Sequence, residues 1–195
     1  MASSVQASHR QRGEAGVPQI EKVNEDLLTF TYGSLVVQLL EDLGSVDAVN
    51  SQLERMGYSI GVRIIEEFLA RSGAGNRRCR TLKEAAEAVA TQAFPMFLGE
   101  HAVVENEVSE NSANKGEISI CFGETPLTHY VELPEENRGL HFANILCGVI
   151  RGALEMIQMR VECRFEQDML LGAERNEIRI TLKEILEDEA PPDDE

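Results

Sequence analysis

Residues 140–161 read LHFANILCGVIRGALEMIQMRV, an almost unbroken apolar run with small residues at Cys147, Gly148, Gly152 and Ala153. Such small side chains over one or two turns let another backbone, or a narrow ligand, approach closely. Arg151, Glu155 and Arg160 interrupt the run, which argues against a membrane span. The stretch predicts one long helix buried at the centre of the domain.

Toward the N-terminus the pattern is helical. Asn24, Glu25 and Asp26 place a cap and negative charge ahead of Leu27, Leu28, Phe30, Leu35, Val36, Leu39, Leu40 and Leu43, the spacing of an amphipathic helix with a wide apolar stripe. Gly44 breaks it, and Ser45 or Asp47 can cap a second helix running from Val49 through Leu53, Met56, Ile64 and Phe68 to the SGAG at 72–75. Thr81 followed by Glu84 makes a capping box for a third helix, Ala-rich, with Pro95 expected to kink its end.

After Gly99 the period changes. HAVVENEV (101–108) and GEISICF (116–122) predict two strands joined by the polar turn SENSANKG (109–116). VECRFEQDM (161–169) and NEIRITLKEI (176–185) predict a second hairpin, with Ile178, Ile180 and Leu182 alternating with Arg179, Thr181 and Lys183. Helices, a strand pair, a long helix and another strand pair imply an α+β domain, its helices packed on a small antiparallel β-sheet.

Composition narrows the function. A chain of 195 residues, 43% hydrophobic and 27% charged, should fold around one core. We expect a disordered leader over 1–22, a folded domain over 23–185 and an acidic flexible tail over 186–195. The net charge of −16 repels bare phosphate and excludes broad electrostatic binding to nucleic acid. The opening residues carry no apolar segment, so neither a secretory signal nor an anchor is expected and the chain reads as cytoplasmic. Cys79, Cys121, Cys147 and Cys163 lack CxxC spacing, and no histidine complements them; free thiols and no metal site are expected.

The loop GAGNRRCR (73–80) concentrates Arg77, Arg78 and Arg80 around Cys79 in an otherwise acidic chain. Nearby cations favour a thiolate, so this cysteine reads as partly exposed and reactive. No histidine stands in a clear base position beside Cys79 or Cys147, which argues against a cysteine hydrolase.

The blocks LTFTYGSLVVQL (28–39), MGYSIGVRIIEEFLARS (56–72), AFPMFLG (93–99), YVELP (130–134) and LCGVIRGALEMIQM (146–159) resemble, in the same order, the Bet-three family of small subunits of the TRAPP vesicle-tethering complex. The resemblance spans residues 24–183. It implies a non-catalytic subunit that pairs with related TRAPP small subunits through its first two helices, or with itself when isolated. It further implies a complex that acts as a guanine nucleotide exchange factor for a Rab/Ypt-type GTPase in ER-to-Golgi vesicle tethering, peripheral at the cis-Golgi and endoplasmic reticulum.

The same resemblance implies a palmitate linked to Cys79 and buried in a hydrophobic channel, although the loop before Cys79 is about two residues longer than the family pattern. It also implies that the tail reaches the GTPase, which makes Glu187, Asp188 and Glu189 candidate contacts. The small residues of 140–161 then have two readings, room for a channel beside Ile145, Val149, Gly152 and Met156, or tight packing of the helix on the sheet; Gly57 and Gly61 in the second helix serve the same channel or mark a close helix crossing. The alternative function is a small-molecule or lipid-binding sensor of the same fold.

Overall fold

Side-chain caps start the first three helices where the sequence sets them. The computed structural model describes residues 23–72, 79–105 and 116–186; the leader, Arg77, Arg78, most of the 109–116 turn, and Glu187, Asp188 and Glu189 lie outside them. Helix α1 spans Glu25–Leu43, with the Asn24 side chain accepting the Asp26 amide, and it ends at Gly44 in the left-handed region (φ 62°). Helix α2 spans Val46–Arg71 behind a Ser45 cap. Helix α3 spans Leu82–Ala88 behind Thr81.

The expected kink at Pro95 takes a specific form. Helix α3 runs into a π-helical segment, Val89–Ala93, and then into the short helix α4, Phe94–Phe97. Proline cannot donate to the ladder. The Phe94 amide reaches back to the Val89 carbonyl, a wider turn that carries the helix past the missing donor.

Residues 140–161 do not form one helix. Helix α5 covers Ile145–Met156, Ile157 and Gln158 turn the chain, and strand β3, Met159–Gln167, begins within the stretch expected to be helical. Gln158 takes φ 71°, and a left-handed residue ends an α-helical ladder whether or not it is glycine. Met159, Val161 and Cys163 are buried on alternate positions of the strand, so the apolar content of this run serves both a helix and a strand.

Strands β1 (Ala102–Glu105), β2 (Glu117–Phe122), β3 and β4 (Asn176–Ile185) form an antiparallel sheet in the order β1-β2-β4-β3. Ile118 lies opposite Ile180 and Ile120 opposite Ile178, which gathers the alternating isoleucines into the core against the helices. Helix α5 lies between the sheet and α2, as its burial demands. Asn50 of α2 fixes where α5 begins: its side chain donates to the Gly139 carbonyl and accepts the His141 amide, while its own carbonyl accepts from the Asn144 side chain.

Helices α2 and α5 meet backbone to backbone through two facing Gly-x-x-x-Gly runs. A Cβ added at Gly57 would stand 2.0 Å from the Ile145 carbonyl oxygen, and one at Gly61 2.2 Å from that of Val149. On the facing helix, a Cβ at Gly148 would lie 2.0 Å from the Glu54 oxygen, and one at Gly152 2.3 Å from that of Tyr58. The close helix crossing expected at Gly57 and Gly61 therefore holds, whereas Gly148 and Gly152 pack on α2 and not on the sheet.

Candidate functional site

Beyond the glycine crossing, α2 and α5 enclose a cavity with the composite helix α3–α4. Its volume is about 420 Å³, inside the roughly 300–1,000 Å³ that accommodates small organic ligands. Helix α2 contributes Ile64, Ile65, Phe68 and Leu69; the α3–α4 helix contributes Ala85, Ala88, Val89, Ala93 and Phe97; α5 contributes Val149, Ile150, Ala153, Leu154 and Met156. The α5–β3 turn adds Ile157 and Gln158, and Cys79 joins the wall from the segment ahead of α3.

Of the channel residues expected from sequence, Val149 and Met156 face this cavity and Ile145 and Gly152 do not. Gly152 is filled by the Tyr58 backbone, the Ile145 carbonyl receives Gly57, and the Ile145 side chain is buried in the core. The alanines at 85, 88, 93 and 153 are the small residues that give the cavity its room. Those at 85, 88 and 93 sit in the Ala-rich third helix, a composition that signals helix propensity before it signals a cavity wall. The π-helical turn brings Val89 and Ala93 onto the same wall.

Cys79 is partly buried, and Cys121, Cys147 and Cys163 are buried; all are free thiols. The favoured thiolate expected at Cys79 rests on Arg80 and on Arg77 and Arg78, which lie outside the described residues; the described groups push the other way. Burial in the apolar wall pushes the Cys79 thiol above its ordinary value, the nearby Glu84 carboxylate pushes it the same way, and a hydrogen bond to its own backbone opposes them. Arginines adjacent in sequence are not thereby adjacent to the sulfur: Arg80 is exposed and is not among the groups that shift it. The site is thus a thiol in the wall of an apolar chamber, with burial favouring its neutral form. It can accept an acyl group and shelter the chain that comes with it.

A second feature lies on α1. Thr29, Tyr32 and Val36 face inward, whereas Leu27, Leu28, Phe30, Val37 and Leu43 are exposed. The Phe30 ring stacks on Tyr130, itself exposed, with centroids 6.2 Å apart. Large apolar groups clustered in this way mark a contact surface. No described helix is long and apolar enough to cross a membrane, and no cluster of His, Cys, Asp and Glu among the described residues could hold a metal.

The family model for transport protein particle (TRAPP) components matches residues 28–181. The chain belongs to the TRAPP family. Among TRAPP relatives, it is 46% identical to trafficking protein particle complex subunit 3 of Dictyostelium discoideum, with 89% of this chain and 90% of that protein aligned. It is 44% identical to transport protein particle subunit bet3 of Schizosaccharomyces pombe, over 94% and 97% of the two chains. A crystal structure of the TRAPP subunit 3 from Naegleria fowleri, covalently bound to palmitic acid, superposes with a TM-score of 0.79 at 50% identity, covering 86% of this chain and all of the other. The TRAPP fold of helices on a four-stranded antiparallel sheet is therefore the fold of this chain.

Proposed function

We propose that this chain is a core subunit of a TRAPP complex in ER-to-Golgi vesicle tethering and that a palmitoyl chain, attached through Cys79, fills the cavity between α2, α3–α4 and α5. The observation that carries the reading is the single thiol in an otherwise thiol-free apolar wall, in a chain half identical to a relative that holds covalent palmitate. In the acylation step the Cys79 sulfur attacks the carbonyl carbon of a long-chain acyl thioester. The new S–C bond forms as the bond to the donor's sulfur breaks, and the proton from Cys79 ends on the released thiol.

A chain held in the cavity cannot also enter a bilayer, so the lipid serves stability rather than anchoring, and membrane contact is peripheral and made through the complex. The complex as a whole, rather than this subunit alone, exchanges guanine nucleotide on a Rab/Ypt-type GTPase, with Glu187, Asp188 and Glu189 as candidate contacts in the tail. Intact mass spectrometry of the purified protein should show a palmitoyl adduct that hydroxylamine removes and that is absent from Cys79→Ser. A ligand lost on denaturation alone would favour the sensor reading instead.

The exposed stripe of α1, with α2 beside it, is the surface on which a related small subunit, or a second copy in isolation, would pair. Pairing should fail on introducing charge at Phe30 or Val37, which are 61% and 54% exposed, with little change in the melting temperature of the isolated chain. Val36, which sequence spacing placed on the same stripe, is fully buried, so charge there would unfold the domain and report nothing about pairing. Normal co-purification of Phe30→Asp and Val37→Asp with the related small subunits would move the interface off α1.

A further inference from the structure

The cap of α3 is shifted toward Cys79. In an ordinary capping box the acidic side chain at the third helical position takes the backbone N–H of the capping residue itself. Here the Glu84 amide donates to Thr81 Oγ1 in the usual way, but Glu84 Oε2 accepts, at 2.7 Å, the N–H of Arg80, one residue before the cap. The carboxylate is thereby fixed against the peptide that follows Cys79. Among the described residues, those that line the cavity with Cys79 are uncharged, Gln158 being the polar one. Of the described residues beside Glu84 in sequence, Arg80 ahead of the helix and Lys83 within it are charged and exposed, and Lys83 is drawn toward Glu87 at 3.9 Å. At the end of α2, Arg71 is paired with Glu67.

We infer that Glu84 is a positioning residue that restrains Cys79 as a nucleophile: the hydrogen bond to Arg80 orients the cysteine, and the fixed negative charge holds back its reaction. The purpose of this brake rests on the acylation reading above; its chemistry does not. A long-chain acyl donor gains binding free energy by seating its tail in the cavity and can offset a slow intrinsic step. A small electrophile gains nothing there and meets only the restrained thiol. The direction in which Glu84 shifts the Cys79 thiol agrees with this role.

The substitution Glu84→Gln separates the two parts of that role, because glutamine keeps the capping acceptor and loses the charge. We expect alkylation of Cys79 by iodoacetamide, on the full chain freed of any thioester with hydroxylamine and read by mass spectrometry, to run about three- to tenfold faster in Glu84→Gln at neutral pH. Its pH midpoint should fall by about half to one pH unit. A purely structural cap would leave the pH profile in place, and a general base would slow the reaction; either result overturns the inference. A second measurement needs no variant: raising salt, which screens the carboxylate, should speed alkylation of the native chain, and the absence of any salt effect counts against the brake. If both variant and native chain respond as expected yet neither takes up a palmitoyl group from palmitoyl-coenzyme A, the acylation reading fails and the role of Glu84 stands.

Discussion

Cys79→Ser is expected to lower the melting temperature of the purified protein by at least about 10 °C. About fifteen methylene equivalents at ~0.8 kcal/mol each give on the order of 10 kcal/mol for taking a palmitoyl chain out of water. The unfolded acylated chain also hides roughly 10–40% of that surface, so at least about half of it counts toward folding. In a domain of this size 1 kcal/mol moves the midpoint by about 2–4 °C. Serine differs from cysteine by one atom, so the variant changes little besides the attachment. The measurement is a calorimetric scan of native and variant protein alongside their intact masses. If the native protein carries the adduct and melts with the variant, the lipid is not part of the core.

Gly148→Ala should reach further and prevent stable folding, with a loss above ~4 kcal/mol. Alanine in place of glycine inside a helix ordinarily stabilises by about 1 kcal/mol. At Gly148 the added carbon would meet the Glu54 carbonyl oxygen at 2.0 Å and the Tyr58 amide nitrogen at 2.7 Å, and backbone on both sides leaves nothing flexible to yield. Gly33, in the middle of α1, has nothing within 4 Å of the same position. Gly33→Ala should therefore stabilise by about 0.5–1 kcal/mol. Denaturant titrations of the two variants should move in opposite directions, and a folded, native-like Gly148→Ala would mean that α2 and α5 are not in backbone contact.

The elements that sequence predicts well are those closed by local chemistry. Asn24, Ser45 and Thr81 cap helices because their side chains satisfy amides two or three residues away, and that geometry needs no tertiary information. The alternation of Ile118 with Ile120, and of Ile178 with Ile180, fixes two strands and the face they bury. The break at Ile157 and Gln158 carries no glycine or proline, so an apolar run passes from helix to strand without a local signal. The π-helical turn at Val89–Ala93 answers a proline two residues past its end, a link that periodicity averages away.

The candidate site divides the same way. Cys79 stood out by its basic neighbours, yet among the described residues it is burial, and after it the Glu84 carboxylate reached through a cap, that pushes its thiol up. The glycines announced a close approach without saying to what, and only the crossing of α2 and α5 assigns them to each other.

That crossing fixes more than the order of two helices. Where helices meet through side chains, a methyl gained on one and lost on the other can shift their spacing by small degrees. Here the meeting atoms are carbonyls and α-carbons, which every amino acid possesses, so substitution has no gradual way to tune the separation. Over evolutionary time the spacing of these two walls of the chamber is a fixed inheritance, and drift reshapes the chamber through the third wall and the lining, at positions such as Ala85, Ala93 and Ala153.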